Sequence, residues 1–362
     1  MRLLTALAVA VAAALTFAPQ ALADRPLVVD DDRVQCRNAQ YTTIQAAVNA
    51  AGPGDRIDVC AGTYAEQVVI ATAAKNNLRL HARERRGAVV LDGQNTMLNG
   101  FRLEHVNGVL IEGFAVRRYH DDIWLDDSDR NEIRNNRTSE AWDHDGIVLA
   151  NGSDANNVHH NVSFNNTRPI GCGLSVGGGS RDNRIHHNVS FGNMNAGILI
   201  GGGILGPAGS GNVIAFNRVV DNPGHGIFNA ISGGARIHHN LVRHNGFRAD
   251  RPGHGIFLTG AGTTNVLVAW NLIRRSTLDG ISLANGDANR LRRNHSRGNG
   301  RDGIRADSAS ADNIISRNHM RRNAEHDCHD DSVGGGTGGT ANFWRHNHGL
   351  TENRPGLCRR QT

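Results

Sequence analysis

A short apolar segment recurs at nearly regular intervals, and this repeat limits the fold more than any other feature of the sequence. Segments of three or four residues, several of the form Ile-x-Leu, begin 21 to 29 residues apart along the chain. The segments begin at Ile57, Leu78, Phe101, Ile123, Ile147, Leu174, Ile198, Ile227, Ile256, Ile281 and Ile304. A repeat of this length that persists along a chain indicates a solenoid, in which each unit packs on its neighbours.

Asparagine marks two further positions in each repeat. The first series is Asn136, Asn161, Asn188, Asn217, Asn240, Asn271, Asn294 and Asn318, and the second is Asn165, Asn193, Asn222, Asn245, Asn299 and Asn323. Strands this short, separated by Asn and Gly, do not fit helices. Asn tolerates the left-handed conformation of a sharp corner, and stacked Asn side chains hydrogen-bond from one coil to the next.

These patterns predict an all-β protein, a single-stranded right-handed parallel β-helix (solenoid) of about eleven coils. Alternation along each strand places Ile147 and Leu149 inside the coil, while Val148, Phe257 and Ser282 face out. We expect four segments: a signal peptide at 1–23, an N-terminal cap at 24–54, the β-helix at 55–325 and a C-terminal cap at 326–362.

Both ends of the chain carry signals of their own. A basic residue, Arg2, precedes the apolar stretch 3–17 and an Ala-Leu-Ala site at 21–23, a pattern that predicts export and hence a secreted protein. No later stretch is long and apolar enough to span a membrane. Residues 43–51 have helical spacing of apolar side chains, with Thr42 and Gln45 as a capping box, and predict a helix that covers the first coil.

Four of the five cysteines lie near the two ends of the chain. Because an exported protein can form disulfides, we pair Cys36 with Cys60 and Cys328 with Cys358. The second bridge would clasp the C-terminal cap over the last coil. Cys172 remains, and we expect it to be a buried free thiol.

The opening of the chain resembles that of a known group of proteins. Segments 41–48 (YTTIQAAV), 54–57 (GDRI) and 62–66 (GTYAE) are similar to the start of pectin-lyase-like β-helix proteins, including pectin methylesterases. The Gly-Ile and Asn repeats that follow resemble the β-helix repeat of the same superfamily. This resemblance implies the β-helix fold. It also implies functions that range from pectate and alginate lyases, polygalacturonases and uronan epimerases to phage tailspikes and non-catalytic binders.

A polar column two residues before the inward Ile is the first candidate site. It reads His225, His254, Asp279 and Asp302 in consecutive coils, each about 4.8 Å from the next. A His beside a carboxylate is suited to take the C5 proton of a uronic acid, the first step of lyase and epimerase chemistry. We therefore predict His225, His254 and Asp279 as catalytic residues and Asp302 as a substrate-binding residue. The alternative is that these side chains only cap turns of the repeat.

Four further residues complete this site, and an acidic cluster forms a second. We predict that Arg305 stabilises the developing enolate, and that Phe228, Phe257 and Trp124 bind sugar rings. The acidic cluster contains Asp121, Asp122 and Asp145, whose oxygens suit Ca²⁺; its alternative is a solvated acidic face.

Charge favours an acidic partner over nucleic acid, which an exported protein seldom meets. The net charge is +5, and Lys75 is the single lysine, so arginine supplies nearly all the positive charge. Arginine suits contact with carboxylates, although an ordinary Arg-rich surface explains the composition equally. The prediction is a monomer without a transmembrane segment that acts on or binds an acidic polysaccharide.

Two readings of the function stay open. If the protein is an enzyme, it is a polysaccharide lyase or uronan epimerase, with calcium as a candidate cofactor. Gly-His-Gly at 224–226 and 253–255 resembles polygalacturonases, but their partner motifs are absent, so hydrolysis is disfavoured. The second reading is a non-catalytic module that binds glycan or the cell envelope.

Overall fold

Three parallel sheets form the body of the protein. The computed structural model describes residues 26–359, and the predicted signal peptide at 1–23 lies outside them. The chain passes through sheets A, B and C in turn and then returns to sheet A one coil further on. Sheet A has 13 strands, and sheets B and C have 11 each. The architecture is therefore the parallel β-helix that the repeat predicts.

The strands are short throughout. Sheet A contains Leu27–Val29, Arg56–Val59, Arg79–Ala82, Leu110–Glu112, Glu132–Arg134, Asn157–His159, Arg184–His186, Val213–Ala215, Arg236–His238, Leu267–Ala269, Arg290–Arg292, Ile314–Ser316 and Phe343–Arg345. Sheet B contains Gly62–Tyr64, Val89–Asp92, Ala115–Arg117, Arg137–Ser139, Val162–Phe164, Val189–Phe191, Arg218–Val220, Leu241–Arg243, Leu272–Arg274, His295–Arg297 and His319–Arg321. Sheet C contains Val68–Ala71, Asn99–Glu104, Asp121–Asp126, Ile147–Ala150, Cys172–Val176, Ala196–Ile200, His225–Ala230, Ile256–Thr259, Ile281–Ala284, Ile304–Ala306 and Cys328–Asp330. The helices are Ile44–Ala50 and three 3₁₀ turns, Ala73–Lys75, Gly203–Leu205 and Thr337–Gly339.

Sheet C stacks the repeated apolar segments in register. Ile147 lies opposite Ile123 on one side and Leu174 on the other, and all three are fully buried. The first two predicted positions do not belong to this file. Ile57 and the segment that begins at Leu78 lie in sheet A. Since short strands of every sheet place apolar residues inside, the apolar pattern alone did not separate the sheets at this end.

A ladder of buried Asn side chains turns the chain from sheet A into sheet B. The side-chain amide and the backbone N–H of Asn188 both donate to Oδ1 of Asn217, at 3.1 and 2.9 Å. The left-handed backbone falls on the residue before each Asn, with φ of 54° at His187 and 56° at Phe216, and not on the Asn itself. In this ladder the expected role of Asn is corrected: the Asn side chain holds the corner, and the residue before it takes the left-handed conformation. In the second series Asn165 does adopt that conformation, with φ of 57°.

A short helix covers the first coil, and its cap differs from the predicted one. The helix begins at Ile44 with Thr43 as N-cap, whose hydroxyl accepts the N–H of Ala46 at 3.3 Å. The carboxylate of Glu66 accepts the N–H groups of Ile44 and Gln45, at 2.8 and 2.9 Å. The capping box of Thr42 and Gln45 is therefore wrong, because a carboxylate from the next coil satisfies these donors.

Cysteines behave as their positions predict. Disulfides join Cys36 to Cys60 and Cys328 to Cys358. Cys172 is a buried free thiol. The strands Cys328–Asp330 and Phe343–Arg345 lie beyond residue 325, so the solenoid continues into the segment expected as C-terminal cap. Within residues 26–359, no helix has both the length and the apolar character that crossing a membrane requires.

Candidate functional site

The polar column lies along one edge of sheet C. Its residues His225, His254, Asp279 and Asp302 occupy four consecutive coils, as the repeat predicts. The carbonyl groups of His254, Asp279 and Asp302 accept the N–H groups of Gly226, Gly255 and Gly280, respectively. The parallel ladder therefore fixes the vertical order of the side chains.

Four aromatic rings from two adjacent coils form a cluster, which we call the ring platform. His225 and His254 stack with centroids 5.5 Å apart, and Phe228 and Phe257 stack at 5.4 Å. Within each coil the contacts are closer, 4.9 Å from His225 to Phe228 and 4.6 Å from His254 to Phe257. Two predicted catalytic residues and two predicted sugar-binding residues thus meet at one place.

Side chains of the column also bond to the backbone of the next coil. His225 Nδ1 accepts the N–H of His254 at 3.1 Å, and Asp279 Oδ1 accepts the N–H of Asp302 at 3.0 Å. The turn-capping role that was the alternative for this column is therefore present. Turn capping does not occupy every polar atom of the column, because Asp279 Oδ2 makes no hydrogen bond. This oxygen lies 3.2 Å from Nδ1 of His254.

Burial controls the charge of these groups. It lowers the pKa of His225 to about 3, with a smaller contribution from the charge of His254, so His225 is neutral near pH 7. Burial alone would raise the pKa of Asp279, but the nearby His254, together with the backbone N–H of Asp302, outweighs it and brings the pKa below its usual value. Nδ1 of His254 accepts the backbone N–H of Asp279 at 3.3 Å, as Nδ1 of His225 accepts that of His254, so the turn orients this ring and Asp279 Oδ2 lies beside it as a negative charge.

A long loop runs along one edge of the ring platform. Segment 246–252 joins sheet B to sheet C, and Arg251 donates a hydrogen bond to the carbonyl of Pro169 in the corresponding loop 165–171. These loops belong to coils three strands apart, so the contact spans the coils between them. The extra residues in these repeats therefore form two loops that contact each other across the intervening coils.

The floor next to the ring platform is apolar. Cys172, Ala196 and Leu199 form a buried cluster against which Phe228 packs. Val148 points outward as predicted, but it is fully buried and not exposed. An outward-pointing side chain is therefore not exposed in the middle of sheet C, since the alternation of a strand gives the direction of a side chain and not what packs on it.

Arg305 does not reach His254 and belongs to a different cluster. Its guanidinium contacts Asp331 Oδ2 at 2.7 Å and Asp302 Oδ2 at 3.6 Å. Beside them, His329 Nδ1 lies 3.1 Å from Asp302 Oδ2, and His326 Nδ1 lies 3.3 Å from Asp302 Oδ1. We call Asp302, His326 and His329 the Asp302 cluster. The proposed action of Arg305 on a substrate bound at His254 does not fit this placement, because two carboxylates already hold the guanidinium.

Sequence reasoning missed His326 and His329, although a signal was present. Ile304 pairs with Cys328, so His326 extends the polar column by one coil and His329 extends the outward file that contains Phe257 and Arg305. The segment containing these residues begins with a cysteine and lacks the Ile-x-Leu pattern. Following the two files one coil further would have found both histidines.

The acidic cluster predicted for Ca²⁺ is organised around an imidazole. Nδ1 of His144 lies 2.8 Å from Asp121 and 3.3 Å from Asp145. Asp122 is not part of the group: it is fully buried on the neighbouring position, and burial raises its pKa well above the usual value. Because Ca²⁺ prefers oxygen ligands, the three carboxylates do not form the oxygen site that the sequence suggested.

Trp124 lies away from the ring platform. Its strand, Asp121–Asp126, is four strands from His225–Ala230 in sheet C. With neighbouring strands about 4.8 Å apart, Trp124 is roughly 19 Å from the platform along the solenoid. It does not share a sugar subsite with Phe228 and Phe257.

Arginines gather where the chain turns from sheet B into sheet C. Arg274, Arg275, Arg297 and Arg322 line a cavity of about 290 Å³, with Gly298 as the other lining residue. They come from the same three coils as Asp279, Asp302 and His326. These four arginines therefore form a concentrated cationic surface where the chain turns from sheet B into sheet C.

The fold places this chain among the pectin-lyase-like β-helix proteins, as its opening segments suggested. A family model described as "Periplasmic copper-binding protein (NosD)" matches residues 84–268 and 238–336. These ranges cover more than half of the chain, and the chain belongs to this family. A search of curated proteins found no match.

Solved structures with the same fold include enzymes that act on polysaccharides. The A-module of mannuronan C-5 epimerase AlgE4 from Azotobacter vinelandii superposes with a TM-score of 0.56 at 16% identity, covering 86% of this chain and 95% of that one. An alginate lyase from Paenibacillus sp. FPU-7 gives 0.53 at 15%, over 76% and 91%. The catalytic unit of a GH87 alpha-1,3-glucanase from Streptomyces thermodiastaticus gives 0.61 at 15%, over 85% and 66%. At these identities the likeness shows the shared fold.

Proposed function

We propose that this protein binds an acidic polysaccharide along the outer face of sheet C, with the ring platform as its central subsite. The observation that carries the proposal is the contact among His225, Phe228, His254 and Phe257, all within 4.6 to 5.5 Å of a neighbouring ring. His225, Phe228 and Phe257 are partly exposed, whereas His254 is buried. Partly exposed aromatic faces offer large apolar area with polar edges, which suits the mixed surface of a sugar ring. The epimerase, lyase and glucanase with this fold support a carbohydrate ligand.

The arginine-lined cavity supports an acidic ligand. Arg274, Arg275, Arg297 and Arg322 stand at the edge of sheet C from which the polar column rises, and no carboxylate lines the cavity. A polymer that crosses the ring platform toward higher-numbered coils would pass this surface, where guanidinium groups pair with carboxylates. The two disulfides and the family description are consistent with a protein that acts outside the cytoplasm.

Turnover of the bound polysaccharide is a second candidate function. Asp279 Oδ2 lies 3.2 Å from Nδ1 of His254, and the backbone N–H of Asp279 also donates to this nitrogen at 3.3 Å. Proton transfer at Nε2 requires the tautomer of His254 that carries its proton on Nδ1, facing Asp279 Oδ2. With a uronic acid on the ring platform, His254 would abstract the C5 proton and Asp279 would stabilise the resulting imidazolium. Protonation of C5 on the opposite face by water gives epimerisation, and expulsion of the C4 substituent, which takes up a proton as it leaves, gives β-elimination. In both cases the proton on His254 then passes to solvent.

The description of the family names copper binding, and one group of residues in this chain has donor atoms suited to copper. The Asp302 cluster offers two imidazole nitrogens and a carboxylate, donors that suit copper. Three of its atoms, Asp302 Oδ2, His326 Nδ1 and His329 Nδ1, are buried without a hydrogen-bond partner. Metal binding there is separate from sugar binding at the ring platform.

Binding is tested by titrating the protein with polyuronates of defined composition and with a neutral glucan. We expect Phe257→Ala and Phe228→Ala to weaken polyuronate binding about tenfold each, the scale of one aromatic contact. Phe164→Ala and Phe191→Ala are matched controls, because these rings also stack, at 5.0 Å, but lie on sheet B. Equal losses from both pairs of variants, or binding of neutral glucan only, would contradict the proposal.

Turnover is tested separately by absorbance near 235 nm and by NMR of the recovered polymer. If His254 is the base, His254→Ala abolishes new double bonds or inverted C5 centres. Binding without any product, unchanged by His254→Ala, would remove the second candidate and leave binding as the function.

A further inference from the structure

We propose that the Asp302 cluster binds one divalent transition-metal ion, with Cu²⁺ favoured over Zn²⁺. The inference goes beyond glycan binding and does not depend on it. It rests on the geometry of Asp302, His326 and His329, on their unpartnered atoms and on the groups that orient them.

Distances within the cluster match a metal's ligand shell. Each residue offers one donor atom, and the three donors lie within 4.8 Å of one another. Asp302 Oδ2 and His329 Nδ1 are 3.1 Å apart, and Asp302 Oδ1 and His326 Nδ1 are 3.3 Å apart. Ligands that hold an ion at about 2.0 to 2.1 Å in tetrahedral geometry lie roughly 3.3 Å from each other. Each histidine nitrogen is therefore near the separation that two ligands of one ion have, measured to a different oxygen of the Asp302 carboxylate, which lies between the two imidazoles.

The donor atoms lack the hydrogen bonds that buried polar atoms normally make. Asp302 is fully buried and His329 is 9% exposed, yet Asp302 Oδ2 and His329 Nδ1 have no hydrogen-bond partner, and neither has His326 Nδ1. The short contacts between them do not have hydrogen-bond geometry. An unsatisfied buried polar group is costly, and one bound metal ion would satisfy all three atoms together.

Outer groups orient the ligands as they do in known metal sites. Nε2 of His329 is 2.8 Å from Asp331 Oδ1, and Asp331 Oδ2 accepts from Arg305 at 2.7 Å. A carboxylate on the far nitrogen of a histidine fixes the tautomer that leaves the near nitrogen free for a metal. Asp302 Oδ1 is placed in turn by the backbone N–H of His326, at 2.9 Å.

An opening leads to the cluster. A cavity of about 390 Å³ beside the C-terminal disulfide includes His326 in its lining, together with the carboxylate residues Glu325 and Glu352. Two imidazoles and one carboxylate leave at least one coordination position for water or another ligand. By the general order of affinities for nitrogen and oxygen donors, Cu²⁺ binds more tightly than Zn²⁺ at such a site.

The test is the metal content of the full chain. The protein is loaded with Cu²⁺ or Zn²⁺ alone, dialysed against glycine as a weak competing chelator, and analysed for metal per chain and by EPR. We expect one retained Cu²⁺ with two coupled nitrogens, its loss in His326→Ala/His329→Ala, and an affinity about 10- to 100-fold lower in Asp331→Asn. Asp302→Asn preserves the acceptor of the His326 N–H and is expected to lose the ion while keeping the fold, checked by circular dichroism.

A second histidine pair provides the matched control. His186 and His187 have Nδ1 atoms 2.8 Å apart outside the cluster, so His186→Ala/His187→Ala removes the same side chains elsewhere. The control is expected to retain its copper. Copper retained by the His326→Ala/His329→Ala variant, copper lost from the control, or no metal retained by the natural protein would each overturn the proposal. None of these outcomes bears on glycan binding, because no polysaccharide is present.

Discussion

The imidazole rings of His225 and His254 lie 5.5 Å apart with their planes parallel to within 1°. This relationship follows from the solenoid, since equivalent residues of adjacent coils must repeat at the strand spacing of about 4.8 Å. Nδ1 of His225 accepts the backbone N–H of His254, which fixes the ring of His225 in this orientation. The ring platform is thus built from the same ladder that stabilises the fold.

Acid is expected to destabilise the protein through His225. Burial lowers the folded-state pKa of this residue to about 3, below the unfolded value near 6.5. Its contribution to stability is therefore present above pH 6.5 and is lost as the pH falls toward 3, by at most about 1.4 kcal/mol per pH unit. Urea unfolding at pH 7, 5 and 4 should show a steeper loss for the natural protein than for His225→Asn, which keeps an acceptor at the Nδ1 position. Parallel curves would show that His225 is not the group involved.

Alkali acts on a different histidine. His144 lies between Asp121 and Asp145; burial opposes its charge, but these carboxylates raise its pKa to about 9. The folded pKa exceeds the unfolded value, so the stabilisation is complete below about pH 6.5 and disappears as the pH rises through 9. NMR titration should give a pKa near 9 for His144 in the natural protein. In Asp121→Asn the pKa of His144 should be lower by about 1 to 3 pH units. A pKa near 6.5 in the natural protein would contradict the ion pair.

The Asn ladder should be sensitive to a single substitution. Asn217→Ala removes the oxygen that accepts both the N–H and the side-chain amide of Asn188, and leaves both donors buried. Because each unsatisfied donor costs about 1 to 3 kcal/mol, we expect the free energy of unfolding to fall by about 2 to 4 kcal/mol. Asn38→Ala, at an exposed turn, is the control and should change little. A loss below about 0.5 kcal/mol in Asn217→Ala would argue against the ladder.

Thiol chemistry should distinguish the cysteines. Burial, with the negative charge of Asp145, raises the pKa of Cys172 well above its usual value, and its side chain is inaccessible. A thiol reagent such as DTNB should therefore find no reactive group in the folded protein and one group per chain in urea without reductant. Three or five groups in urea would show that a disulfide is absent, and reaction in the folded state would show that Cys172 is exposed.

The sequence repeat predicted the positions that are set by strand register, and it missed side-chain contacts between coils. The order of His225, His254, Asp279 and Asp302 follows from period and register alone. The contact of Arg305 with Asp331 could not be predicted in this way, because Asp331 belongs to the next coil and follows a segment with a different pattern. Likewise Glu66 replaces the predicted helix cap from another coil. Such contacts depend on side-chain reach across coils, which spacing in sequence does not specify.

A crystal structure of the protein with a bound oligouronate tests the central claim most directly. We expect a sugar ring against Phe228 and Phe257, and carboxylates directed toward the cavity of Arg274 and Arg297. The contrary result would be a sugar bound elsewhere, such as the cavity of about 480 Å³ that Trp270 and its neighbouring histidines line, with nothing on the ring platform.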